Sequence, residues 1–159
     1  IPLSPENAKQ FQDVLKSGKY SSVIHGPTQD LVYRGMTVPT KWIKAALKLN
    51  KDDKLPVSGH KEASFTFKPR QKVGATSWTT RRKIAIDFAD DKFAEDYMIV
   101  MVAEVANNKD KFIMCDEGLY KIDGLNLHEV EDEVIALNNI NVSMIMWKKA
   151  DSEEDFPTF

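Results

Sequence analysis

Three short stretches carry side chains whose types and spacing suit chemistry. In Leu31-Val32-Tyr33-Arg34-Gly35 an apolar run ends in an arginine followed by glycine. The planar guanidinium fork matches a phosphate with two parallel hydrogen bonds, and the glycine lets the backbone turn away while Arg34 points into a cleft. In Gly74-Ala75-Thr76-Ser77-Trp78-Thr79, small hydroxyl residues flank a tryptophan. Hydroxyls donate and accept, so Ser77 and Thr79 can orient a carboxylate or a ribose without adding charge. The third stretch, Glu131-Asp132-Glu133, runs directly into Val134-Ile135-Ala136-Leu137. On an extended strand Glu131 and Glu133 share a face about 7 Å apart. Such a pair suits glycosidic cleavage, one carboxylate near the developing cation and one near the incoming nucleophile.

Each stretch also has a plainer reading. Arg34 can cap a strand and extend to solvent. Thr79 can be a helix cap after an ordinary strand, and the acids can form a solvated loop. The basic residues Lys68, Arg70, Lys72, Arg81, Arg82 and Lys83 flank the hydroxyl strand and form either a basic rim or a solvated helix start.

The elements that must hold these residues follow from periodicity. Ser4-Pro5-Glu6 reads as a helix start, with Ala8, Phe11, Val14 and Leu15 on one face and Gly18 as the stop. A short strand is expected from Asp30 to Arg34. Pro39 then opens a helix carrying Trp42, Ile43, Ala46 and Leu49. Ala63, Phe65 and Phe67 alternate with polar residues as in a half-buried strand. Lys72 to Thr79 is the next strand, and Thr79 or Thr80 caps a helix with Ile84, Ala85, Phe88 and Ala89. Strands follow at Met98 to Val105, Lys111 to Cys115, Glu133 to Leu137 and Asn141 to Trp147. The acidic tail from Ala150 to Phe159 reads as loose. Helices first and strands afterwards predict an α+β fold, and 159 residues suit one domain over 1–159.

Composition narrows the class. Hydrophobic residues make up 42% and charged residues 29% of the chain, an ordinary globular mix. A formal charge of −2 gives no global pull toward nucleic acid or anionic membrane. Cys115 is the single cysteine, and His25, His60 and His128 lie far apart, so neither a disulfide framework nor a metal-ligand spacing is present. No apolar run approaches the ~20 residues of a membrane span. A cytoplasmic setting without metal or membrane partner is the expectation.

Taken in order, the arginine strand, the Ser/Thr strand leading into a helix, and Glu131-Asp132-Glu133-Val134-Ile135 resemble the arginine–serine–glutamate class of mono-ADP-ribosyltransferases. The likeness spans Asp30 to about Trp147, and is strongest to small enzymes of large tailed phages and catalytic domains of bacterial toxins. It implies N-terminal helices packed on two mainly antiparallel sheets, with NAD as co-substrate in the cleft between them. It also implies transfer of ADP-ribose to a protein acceptor, most often arginine. By resemblance, Arg34 with Gly35 would hold a phosphate or neighbouring part of NAD. Ser77, Trp78 and Thr79 would line the ribose, with Ser77 orienting the catalytic glutamate. Glu133 would stabilise an oxocarbenium-like transition state at the 2′-hydroxyl, and Glu131 would steer the acceptor. The chain departs from the family in two places. The usual Ser-Thr-Ser reads here as Ser77-Trp78-Thr79 or, shifted, Thr76-Ser77-Trp78, and Lys121 to Val130 lacks an acceptor-gripping aromatic.

Three other readings stand beside this one. The same chemistry can act on a nucleic acid through the basic rim. A non-catalytic NAD-binding or interaction domain can share the fold. The acidic triplet can also bind a cation, although no calcium-loop spacing accompanies it.

Overall fold

The computed structural model describes residues 5–69, 74–90, 95–122, 125 and 132–157. Helix α1 spans Pro5–Ser17 and buries Ala8 and Phe11 completely. Gly18 follows at φ +68°, a left-handed stop that glycine adopts without steric cost. The expected cap, Ser4, lies outside the described residues. After β1 (Leu31–Val38), α2 (Thr40–Ala46) has its first turn held by Asp96, whose Oδ2 accepts from the Thr40 amide at 2.9 Å and the Thr40 hydroxyl at 3.0 Å. Strands β2 (Ser58–Phe67) and β3 (Ala75–Thr79) lead into α3 (Arg82–Ala89). Strand β4 (Tyr97–Glu104), a 3-10 turn at Val105–Asn108, β5 (Phe112–Met114), α4 (Glu117–Tyr120), β6 (Glu133–Leu137) and β7 (Ile140–Lys149) complete the order.

The fold is α+β, and its strands form one antiparallel seven-stranded sheet in the order β2-β7-β4-β1-β3-β6-β5. The expectation of two sheets is corrected here. A four-strand half and a three-strand half meet through the register pair Tyr33–Thr79, which makes them a single sheet. Beyond that pair β1 and β3 diverge.

Alternation assigns the faces. Ile99, Met101 and Ala103 of β4 join Ile43 of α2 and Trp78 of β3 in one cluster. Met98, Val100 and Val102 pack with Ala85 and Ala89 of α3 on the other face. On that second face, Ala8 and Phe11 of α1 cover Ile113 and Ile135 of β5 and β6. Covered on both sides, β4 is apolar almost throughout.

Two further expectations change. Strand β1 does not end at Arg34 but continues through Gly35 to Val38, paired with β4 throughout. Gly35 serves close packing rather than a turn: a Cβ there would lie 1.7 Å from the Ala85 carbonyl oxygen, so only glycine lets α3 seat on the strand. The tail is not loose over its described part. Phe156 is 8% exposed in the α3–β4 cluster, Glu154 accepts from the Ser58 hydroxyl at 2.8 Å, and Arg82 donates to the Pro157 carbonyl.

Candidate active site

Ladder register brings together two residues separated by 56 positions. Strands β3 and β6 pair Thr79 with Glu133 and Ser77 with Ile135. The period of two puts Ser77, Thr79, Glu133 and Ile135 on one face, with Ser77 and Glu133 as diagonal neighbours. The Ser77 hydroxyl donates to Glu133 Oε2 at 2.5 Å, and each residue is only 6% exposed. Burial pushes the Glu133 carboxyl above the usual range, opposed by the hydrogen bonds from Ser77 and the Cys115 thiol. Cys115 is placed by its own amide, which donates to the Glu133 carbonyl at 2.9 Å. Burial, then the neighbouring Glu133 charge, pushes its thiol up and keeps it protonated.

Arg34 reaches the same serine from the other side of the sheet. Its Nη1 donates to the Ser77 carbonyl at 2.6 Å, where β1 and β3 have moved apart. The guanidinium lies 5.6 Å from the centre of the Phe67 ring. Burial lowers its pKa to about 10, which still leaves it charged at neutral pH. Arg34 Nε is fully enclosed with no hydrogen-bond partner among the described residues. A buried donor without an acceptor costs free energy until a ligand or water supplies one. Ser77 is therefore the junction, its carbonyl held by Arg34 and its hydroxyl holding Glu133.

Beside Arg34 a cavity of about 840 Å³ opens where the strands diverge. Met36 and Val38 of β1 line one side, and Ala75 and Thr76 of β3 line the other. Trp42, Phe65 and Phe67 add aromatic surface, and Lys68 adds a second cation. Glu95 adds an acidic group to the lining, whereas Ser77 and Glu133, on the opposite face of the sheet, do not line it.

The other sequence-predicted residues fall as follows. Gly35 lies under α3, away from the cavity lining. Trp78 is 2% exposed in the core, where its Nε1 donates to the Thr76 hydroxyl at 3.0 Å and its ring packs edge-on against Phe67 and Phe112. Thr79 is buried, and its hydroxyl accepts from the Arg81 amide at 3.1 Å, holding the turn into α3. Helix α3 itself begins after an extended Arg81 with no side-chain cap bond, rather than directly at Thr79 or Thr80. Glu131, Arg70, Lys72 and His128 lie outside the described residues. The extended geometry expected across the acidic triplet stops at Glu133, because Asp132 has φ +56°.

Cys115 and the aromatic cavity wall carried no chemical signal in the sequence. Only the β5–β6 register and the divergence of β1 from β3 bring them to Glu133 and Arg34. Among the described residues, no group of three His, Cys, Asp or Glu side chains is arranged to hold a metal, and no helix is long and apolar enough to cross a membrane. No family model, no curated protein and no solved structure matches this chain.

Proposed function

We propose that the protein is a mono-ADP-ribosyltransferase, which cleaves NAD at the nicotinamide–ribose bond and transfers ADP-ribose to a protein side chain, arginine being the favoured acceptor. The observation that carries this reading is the buried Ser77–Glu133 hydrogen bond, whose serine is also gripped by Arg34. Departure of neutral nicotinamide leaves positive charge on the ribose. A carboxylate held in place beside that charge lowers the barrier without reorganising in the transition state. Ser77 supplies the hold, and the low-polarity surroundings of Glu133 strengthen its field. The Arg34 guanidinium lines the cavity, where its charge suits a phosphate, and the cavity volume lies within the usual range for small-molecule sites. Glu131 is assigned to the acceptor by the resemblance alone. Of the basic rim, Arg82 is held within the chain by the Pro157 carbonyl, and the formal charge of −2 gives no global pull toward nucleic acid, so the protein acceptor is preferred. The setting that suits this reading is a reducing cytosol, where NAD is the co-substrate.

The test is incubation of the native protein and Glu133→Gln with labelled NAD and a cell lysate. The expected result is label on discrete macromolecules with the native protein alone, removed by protease and resistant to nuclease. Glu131→Gln should reduce transfer far more than NAD hydrolysis. Absence of both label and nicotinamide release with the native protein would overturn the reading in favour of a binding domain.

A further inference from the structure

The residue before Glu133 has the wrong backbone for a strand. Asp132 sits at φ +56°, in the left-handed region that most side chains avoid and that Asp and Asn tolerate. At that point the β3–β6 ladder has ended with the pair Thr79–Glu133, yet one more cross-connection follows it. The Thr80 amide donates to the Asp132 carbonyl at 3.1 Å. The Thr79 hydroxyl takes the next amide, that of Arg81, so the head of α3 and the head of β6 are stitched together. Arg81 Nη1 lies 3.6 Å from the Asp132 carboxylate, but both side chains are part exposed and the separation is wide, so the ion pair adds little.

We propose that Asp132 is a positioning residue, whose left-handed conformation, fixed by the Thr80 amide, aims the Glu133 carboxyl at Ser77. This rests on the reading of Glu133 as the catalytic carboxylate. Backbone strain concentrates where surrounding contacts over-determine a conformation, and here the strained residue adjoins the buried acid. Were residue 132 to relax to the extended region, its carbonyl would leave the Thr80 amide and the following peptide would rotate. The Glu133 side chain would then swing off the Ser77 hydroxyl. The conformation of Asp132 does this work, and its charge is secondary.

The experiment compares Asp132→Val with Asp132→Asn in the full chain. Valine is β-branched and resists the left-handed region, whereas asparagine keeps both size and tolerance for it. Two readouts are taken: kcat and KM for nicotinamide release from NAD, and the Glu133 carboxyl titration by NMR on protein with labelled glutamate, assigned with Glu133→Gln. The expected result for Asp132→Val is a kcat loss of about a hundredfold with a much smaller change in KM, and a displaced Glu133 titration. Asp132→Asn should restore both toward native values. A folded Asp132→Val with native kcat and native Glu133 titration would overturn the proposal, as would an Asn variant as impaired as the Val one. If Asp132→Val does not fold, Asp132→Ala takes its place with the same criteria. If the native protein fails to cleave NAD, the functional reading falls, and the titration alone decides whether Asp132 positions Glu133.

Discussion

The Ser77 hydroxyl meets Glu133 on the diagonal of the β3–β6 ladder, donating to Oε2 at 2.5 Å while Ile135 is the register partner of Ser77. That diagonal makes the carboxylate dependent on one hydroxyl in an enclosed place. Ser77→Ala removes a donor that favours the charged form, so the Glu133 carboxyl should titrate still higher. On the proposed reaction, the acid limb of the kcat/KM–pH profile for nicotinamide release should shift to higher pH. Loss of a hydrogen bond to a charged group should cost about 1.5–3 kcal/mol, measured by denaturant unfolding above the Glu133 titration.

Stability should carry the signature of the same acid. The folded-state pKa of Glu133 lies above its ordinary 4.5 because burial disfavours the carboxylate. Between those two values the folded state binds more protons than the unfolded state, so stability falls as pH rises through the window. Glu133→Gln cannot ionise and should lose this part of the decline. Melting temperatures of both proteins between about pH 4 and pH 8 should therefore converge at the acid end, after a constant offset, and diverge in favour of the variant as pH rises. Parallel curves would count against a raised Glu133 pKa.

Gly35→Ala tests the seating of α3. The new Cβ would lie 1.7 Å from the Ala85 carbonyl oxygen and 3.0 Å from the Ala89 amide nitrogen, both backbone atoms that cannot rotate away. The expected cost is about 3 kcal/mol or more in chemical denaturation. A near-native unfolding midpoint would show that α3 does not rest on the strand.

Phe156→Ala tests whether the tail is part of the fold. Its ring is 8% exposed among Ala85, Ala89 and Val100. Truncation should cost about 3 kcal/mol and increase amide exchange in α3, whose first residue Arg82 holds the Pro157 carbonyl. An unchanged melting temperature would return the tail to the loose segment that its acidic composition suggests.

Much of the architecture was legible because strong local patterns control it. The apolar stripe of Ala8 and Phe11, the stop at Gly18 and the apolar run of Tyr97 to Ala103 each gave an element of the right type. Where tertiary contacts override local preference, the reading failed. Gly35 looks like a break in a strand, yet the neighbouring helix requires it. Phe156 sits in a polar tail whose composition says nothing of the apolar face it meets. The polar half of β2, from Ser58 to Glu62, gave no strand alternation because its side chains lie on an edge with a register irregularity before Phe65.

By itself, the sequence indicated an α+β chain and marked Arg34, Ser77 and Glu133 as candidates for chemistry. It did so because residue type and periodicity are local properties. Tertiary structure alone decided that one serine joins the arginine to the glutamate, that Trp78 belongs to the core, and that the strands form one sheet with a cavity at its divergence. Those facts depend on which strand lies beside which and in what register. Such pairings connect residues tens of positions apart, and no window along the chain contains them.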